Sequence, residues 1–364
     1  MKKAIALLLG LAVLAGSAAC AEAVAAYADV RYFAWPGHDK QIYRKNEYRR
    51  EDIYTFMFNE GTVLEGNEAL AAQVMEEGRN PGLGVRELHR RGITGQGVNV
   101  GIIDQNLLTD HPEFAGKIAA YYDTGCSVPE DEGSMHAPAV TSILAGETIG
   151  VAPGVRVYFA AVPSWELDSA YYAKALYWLI EQNEKLPEGE KIRVVSVSAV
   201  PSGPETLFEK NTQMWDEAMR AAHAAGILVL DCGSGESRVP IAPAYYDPQQ
   251  RESVERCRVG WPNASWPASA GEIAAPACYR TVAEEYDRGE TSYCYDGPGG
   301  LSWAVPYVAG VLALGWQVNP QLSNEEIVQL LLTTACGENA GPGGVVNPAA
   351  FIEAIESRSA ANPS

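Results

Sequence analysis

Basic residues are in short supply in this 364-residue chain. Its 27 Lys and Arg stand against 46 Asp and Glu, a formal net charge of −19. Nucleic acids and anionic lipid headgroups are bound through opposite charge, so the deficit argues against both as partners. Its plain reading is a solvated acidic surface. Histidine is scarcer still, at five residues, which narrows any search for a general base. There are seven cysteines. Setting Cys20 aside leaves Cys126, Cys232, Cys257, Cys278, Cys294 and Cys336, whose spacings match no zinc-binding pattern. No internal repeat or low-complexity linker interrupts the chain, which argues against a second catalytic domain. Beyond the N-terminus, no stretch reads as apolar enough to cross a membrane.

The first residues carry what the rest lacks. Lys2 and Lys3 precede an apolar run from Ala4 to Ala15, and small residues follow. This is the charged, apolar and small-residue order of an export leader, and the run is short for a membrane span. Two cleavage readings stand side by side. Ala19–Cys20–Ala21 fits an ordinary small-x-small site, which makes residues 1–21 a signal peptide. Ser17–Ala18–Ala19–Cys20 is an imperfect lipobox, with Ser17 where leucine is usual, and would attach lipid to Cys20. Both place the protein outside the cytoplasm, secreted or on a bacterial cell surface. A lipid on Cys20 is then its one link to a membrane. In an oxidising compartment the six remaining cysteines are able to form bridges, while buried free thiols are the alternative.

Apolar residues make up 47% of the chain, enough for a sizeable core. From residue 80 onward, strand and helix signals alternate, predicting an α/β domain with a mostly parallel sheet between helices. Val98–Ile103, Val155–Ala161, Val194–Ser198 and Ile227–Leu230 read as buried strands. Asp168–Lys185, Glu205–Ala225, Ser302–Gln317 and Asn324–Thr334 read as helices. Ser323 with Glu326 forms a capping box for the last. The span from Arg238 to Asp296 is rich in Pro, Gly, Trp and Tyr and reads as loops with short strands. Residues 22–79 form an extension with a basic, tyrosine-rich stretch and a short helix over Glu68–Glu77. Domain 80–357 follows, and residues 358–364 read as a tail.

Three distant segments each carry a residue that serine-nucleophile chemistry needs. Val98 to Asp104 is a strand ending in an acid. His136 opens a helix of small residues, and Ser302 opens another. A serine hydroxyl is a weak nucleophile that needs a base in reach, and histidine titrates in the right range. The imidazole in turn needs a carboxylate to fix its tautomer. Among the other histidines, His38 and His89 precede the first strand of the domain, His111 is followed by Pro112, and His223 lies inside a helix. The context Gly300–Leu301–Ser302–Trp303–Ala304 also suggests the nucleophile elbow of α/β-hydrolases. That fold needs its histidine after the serine, and none follows His223.

At these residues the chain resembles the subtilisin-like serine proteases (subtilases, peptidase family S8). Gly92 to Val98 leading to Asp104, then His111–Pro112–Glu113–Phe114, match the segments around the family's aspartate. His136 with Ile149–Gly150–Val151–Ala152–Pro153, and Ser302 through Gly310 with Pro306, match the histidine and serine segments. The order Asp, His, Ser is the subtilisin order. The resemblance covers about residues 80–355. It implies the three-layer subtilisin-like α/β fold, an Asp104–His136–Ser302 triad and protein or peptide substrates. No cofactor and no metal ligand set is expected; a structural calcium ion is left open, without support from the sequence. The resemblance leaves two readings of residues 22–79: a pro-segment, or a structural arm packed on the domain.

Four departures stand out. Asp231–Cys232–Gly233–Ser234–Gly235 places Ser234 where the family has an oxyanion-hole asparagine, so Ser234 is the expected oxyanion donor. Leu301 and Trp303 flank the serine in place of smaller or more polar residues. Ala137 replaces a glycine after His136. Ser198, Ala199 and Val200, then Pro201, stand in the segment that lines the substrate cleft in the family. There Val200 and Pro201 replace glycines that let substrate backbone approach. The expected activity is therefore that of an endopeptidase of narrow specificity or low turnover. The alternative is a catalytically weak, exported binding protein on the same fold.

Overall fold

The computed structural model describes residues 24–33, 42–44, 48–235, 238–266, 271–336 and 343–361. The leader, Cys20 and His38 lie outside the described residues. In chain order the N-terminal extension supplies β1 (Ile42–Arg44), α1 (Arg50–Tyr54), β2 (Met57–Asn59), β3 (Val63–Glu65) and α2 (Glu68–Gly78). The domain continues with α3 (Val85–Arg90), β4 (Asn99–Asp104), β5 (Ile118–Asp123), α4 (His136–Ala145), β6 (Arg156–Ala161) and α5 (Ser169–Lys185). Next come β7 (Ile192–Val197), α6 (Thr212–Ala224), β8 (Leu228–Leu230), β9 (Ile241–Tyr245), β10 (Arg258–Val259) and β11 (Ile273–Pro276). Last are β12 (Arg280–Glu284), β13 (Ser292–Asp296), α7 (Leu301–Val318), α8 (Asn324–Thr334), β14 (Gly344–Val345) and α9 (Pro348–Ala361).

The five-stranded sheet β5–β6–β4–β7–β8 is parallel throughout. Side chains alternate across it because a strand has a period of two. Val100 and Ile102 of β4, with Val157 and Phe159 of β6, face a core shared with α4 and α7. Ile103, Tyr158 and Ala160 face a second core built from α5 and α6, including Leu176, Leu179 and Trp215. Burial on both faces explains why these strands read as continuous apolar runs. The expected three layers are present. β4 is central, and the chain leaves it first to one side of the sheet and later to the other. The carboxyl end of β4, where Asp104 sits, is therefore the switch point of the sheet, the place where α/β folds of this kind build their sites.

Several elements differ from expectation. The helix expected from Glu205 begins only at Thr212. Asn211 is left-handed, with φ of 55°, a conformation that asparagine tolerates but that interrupts a helix. Residue 358 does not begin a loose tail, because α9 continues to Ala361. Helix α7 is long and apolar enough to span a membrane by length and composition, which corrects the expectation that no such stretch exists. It is 78% buried, and its apolar surface on every side packs inside the domain. The capping box is as expected: Ser323 Oγ accepts from the Glu326 N–H at 3.2 Å, and Glu326 Oε2 accepts from the Ser323 N–H at 3.0 Å.

The extension is woven into the domain. Strand β2 pairs antiparallel with β13, and β12 completes that three-stranded sheet. Ile53, Phe56, Phe58, Leu64 and Val74 are no more than 2% exposed and join the larger core. Thr281 donates its hydroxyl to the Met75 carbonyl at 2.5 Å, and the Gly297 N–H donates to the Phe56 carbonyl at 3.0 Å.

Candidate active site

Asp104 ends β4 with its carboxylate 4% exposed. Oδ1 accepts from the Gln105 N–H at 2.9 Å, which fixes the side chain. His136 is the first residue of α4, and Ser134 secures that helix start. The Ser134 hydroxyl accepts from the Ala137 N–H at 3.2 Å and donates to the Asn106 carbonyl at 2.8 Å, tying α4 to the loop after β4. His136 Nδ1 lies 2.7 Å from Asp104 Oδ1 and 2.9 Å from Oδ2. A carboxylate only accepts, so Nδ1 carries the proton and Nε2 is left with a free lone pair. Burial works against a charged imidazole, but the Asp104 charge and hydrogen bond outweigh it. The His136 pKa stands above its ordinary value of 6.5.

Ser302 is the second residue of α7. The turn before it depends on Gly299, at φ of 75°, where a Cβ would fall 2.0 Å from the Ala277 carbonyl oxygen. At the N-terminus of α7 the Ser302 N–H has no carbonyl one turn back. Its carbonyl is also free of the helix ladder, because Pro306, four residues on, has no N–H to give. Ser198 fills that gap, donating its hydroxyl to the Ser302 carbonyl at 2.7 Å. The Ser302 hydroxyl donates to the Ser198 carbonyl at 3.4 Å rather than to His136. The Trp303 ring lies against the His136 ring, with centroids 5.1 Å apart and planes 31° apart. The three segments thus meet at one place, with the serine hydroxyl turned toward β7.

Ser234 behaves differently from expectation. It is exposed, and its hydroxyl donates to Glu205 Oε1 at 2.6 Å. Its single proton is committed to a carboxylate, which this bond holds below its ordinary range. The hydroxyl expected to serve an oxyanion is, in this arrangement, held by Glu205. The reason lies in the short α6: residue 205 is in the loop before the helix, free to meet Ser234. Of the expected cleft residues, Ser198 touches Ser302 directly. The Ala199 carbonyl accepts from the Cys232 N–H at 2.9 Å, and the Val200 carbonyl accepts from the Thr206 hydroxyl at 2.5 Å.

The other described histidines are structural or remote. His111 is fully buried. Its Nδ1 accepts from the Glu113 N–H at 3.2 Å, so Nε2 is the donor to the Ser292 carbonyl at 3.1 Å. His89 Nε2 pairs with the Val151 carbonyl at 2.8 Å, and His223 is exposed. All six cysteines after Cys20 are free thiols. Burial pushes Cys126 and Cys257 up to about 12, which leaves them protonated at neutral pH. Among the described residues no group of three or more His, Cys, Asp or Glu is arranged to hold a metal ion.

Sequence reading missed Ser134 and Asp296. Ser134 stands two residues before His136, where a cap is common. Asp296 accepts the Trp303 indole N–H and the Gly299 N–H. Its one signal is its place just before the Gly-Pro-Gly-Gly turn.

A family model described as "Subtilase family", of the Peptidase S8 group, matches residues 95–351. The subtilisin-like protease PopC of Myxococcus xanthus (strain DK1622) is 26% identical over 284 residues, covering 69% of this chain and 58% of that protein. M-protease of Shouchella clausii (strain KSM-K16) is 28% identical over 270 residues, covering 71% of this chain and 65% of the relative. The chain thus spans less than two thirds of the length of these two relatives. Subtilisin BL of Lederbergia lenta is 27% identical over 268 residues, with 71% of this chain and 92% of the relative covered. Among solved structures, fervidolysin from Fervidobacterium pennivorans, a keratinolytic enzyme related to subtilisin, superposes with a TM-score of 0.56. It is 18% identical, over 77% of this chain and 47% of that one. The prenylagaramide maturation protease PagA superposes at 0.53, also 18% identical, over 75% of this chain and 98% of that one. These likenesses identify the three-layer subtilisin-like fold.

Proposed function

The chain belongs to the subtilase family, and from that premise we propose that it is an exported serine endopeptidase acting through Asp104, His136 and Ser302. The observation that carries this reading is the double contact of His136 Nδ1 with Asp104 beside the N-terminus of α7. With Nδ1 protonated, Nε2 accepts the Ser302 proton once the hydroxyl rotates away from the Ser198 carbonyl. Apo sites commonly hold such contacts loose until substrate arrives. Ser302 Oγ then attacks the peptide carbonyl, and the imidazolium formed is stabilised by Asp104. The Ser302 N–H, at the positive end of α7, meets the developing oxyanion. His136 returns the proton to the leaving amine, and water hydrolyses the acyl-enzyme by the same relay. Lys2 and Lys3, the apolar run to Ala15 and the small residues up to Ala21 support export, and N-terminal mass analysis of the cell-associated and secreted protein tests it.

The pH dependence follows from His136. The base works only when neutral, so kcat/KM falls as pH drops through its pKa. Asp104 raises that pKa, so the acidic limb of the wild type has its midpoint above 6.5. Asp104→Asn is expected to move this limb to lower pH and to cut kcat about 10⁴-fold. Steady-state kinetics between pH 5 and 9 on a peptide substrate reads both effects, roughly the span in which histidine titrates.

Narrow specificity is supported by the cleft. Val200 and Pro201 add bulk and remove an N–H, and the carbonyls of residues 199 and 200 are already hydrogen-bonded. Low turnover is supported by Ser234. Loss of a direct oxyanion donor costs about 10²–10³ in kcat. Because the Ser234 proton is held by Glu205, Ser234→Ala is expected to lower kcat less than that. Ser234→Asn, whose amide reaches further, is expected to raise kcat with little change in KM. A drop of the full size in Ser234→Ala would show that the hydroxyl leaves Glu205 to serve the oxyanion. The second reading, a catalytically weak binding protein, is favoured by the turn of the Ser302 hydroxyl toward Ser198. Peptide-library hydrolysis by the purified wild type separates the two.

A further inference from the structure

Asp104 holds His136 by its edge; a second carboxylate reaches the face of the same ring through one intermediary. Asp296 is 3% exposed at the end of β13. Its backbone is fixed from both sides, opposite Arg280 on β12 and Met57 on β2. Oδ1 accepts from the Gly299 N–H at 2.7 Å, closing the turn that presents Ser302. Oδ2 accepts from the Trp303 indole N–H at 2.8 Å. Trp303 is itself 4% exposed, and its ring lies against the imidazole of His136.

We propose that Asp296 and Trp303 are a positioning pair for the triad, fixing the Ser302 turn through one carboxylate oxygen and the His136 ring plane through the other. The arrangement rests on the reading of Ser302 and His136 as nucleophile and base. An indole face carries negative charge density and attracts a cation beside it more strongly than other aromatic rings do. The ring therefore favours the imidazolium that forms as Ser302 loses its proton. The hydrogen bond to Asp296 keeps the indole in one orientation and withholds it from water. Burial raises the Asp296 carboxyl above its ordinary range, while the Gly299 N–H and the indole N–H pull it back. A carboxylate so buried is retained only where donors meet it, and here both donors belong to the nucleophile segment.

Helix α4 packs against α7, β12 and β4. The titratable groups on those elements are Tyr307 on α7, Arg280 and Glu284 on β12, and Asp104 on β4; of these Asp104 alone bonds the imidazole. A change in His136 titration on altering Trp303 therefore reports the indole together with the Asp296 carboxylate bonded to it, the pair that is proposed. The test is an NMR titration of the His136 imidazole in the full chain, assigned by His136→Ala. Trp303→Leu removes the ring and is expected to lower the midpoint by about 0.5 to 1 pH unit. Trp303→Phe keeps a ring without the N–H and is expected to recover part of that loss. In kinetics, Asp296→Asn is expected to lower kcat about tenfold at unchanged KM, because the turn is loosened rather than the cleft. An unchanged midpoint in folded Trp303→Leu overturns the proposal. If Trp303→Leu does not fold, equal midpoints in wild type and Trp303→Phe together with unaltered kcat in Asp296→Asn overturn it. A wild type that hydrolyses no peptide contradicts the functional reading instead, and the titration still decides the role of Trp303.

Discussion

Ser302→Ala is expected to abolish peptide hydrolysis while leaving the fold intact. The same knock-out in subtilisin costs about 10⁶-fold in kcat, because serine and histidine act as a unit. The substitution removes one hydroxyl that bonds weakly to the Ser198 carbonyl at 3.4 Å. The Ser198 hydroxyl bonds the main-chain carbonyl of residue 302, which the substitution keeps. Far-UV circular dichroism and the unfolding midpoint should therefore match the wild type. Retained hydrolysis in the variant would mean that the nucleophile lies elsewhere.

The second large effect concerns residues 24–79. Phe58→Ala is expected to cost about 3–5 kcal/mol of stability, the usual range for a fully buried phenylalanine. A chain that starts at residue 80 is expected not to fold. Phe58 is 2% exposed, stacks near Tyr295 and lies on the strand that pairs with β13. Without β2, the strand leading to Asp296 and Ser302 becomes an edge with unpaired N–H and C=O groups. Gly297 also loses its bond to Phe56. Of the two readings of the extension, this packing supports the structural arm. Urea unfolding of Phe58→Ala and expression of residues 80–364 measure both effects. A folded, active chain from residue 80 would make the extension a removable pro-segment.

How much of this was legible depended on the length of each signal. β4 and β6 announce themselves because both faces are buried, and the apolar run is unbroken. Asn324–Thr334 was legible through its cap, where Ser323 and Glu326 bond each other's backbone. Asp104, His136 and Ser302 were legible because each lies at the end or in the first turn of a regular element. β5 was not: Ile118–Asp123 is half exposed at the sheet edge, and its alanines and aspartate carry little strand preference. β1, β2 and β3 are three residues each, too short to show a period. The start of α6 was missed because composition from Glu205 is compatible with helix, while one left-handed residue, Asn211, decides the boundary. That boundary in turn hid the Ser234–Glu205 bond, made between residues 29 apart in sequence. The role of Asp296 was hidden for the same reason, since pairing across β12 and β2 is a tertiary fact.

The most direct measurement is mass-spectrometric mapping of a fluorophosphonate adduct on the purified, folded protein. The reagent reacts with a serine only when a neighbouring base and an oxyanion site activate it. The expected result is a single adduct on Ser302, lost in His136→Ala. A folded wild type that carries no adduct, or carries it on another serine, would contradict the assignment of Asp104, His136 and Ser302 as a working triad.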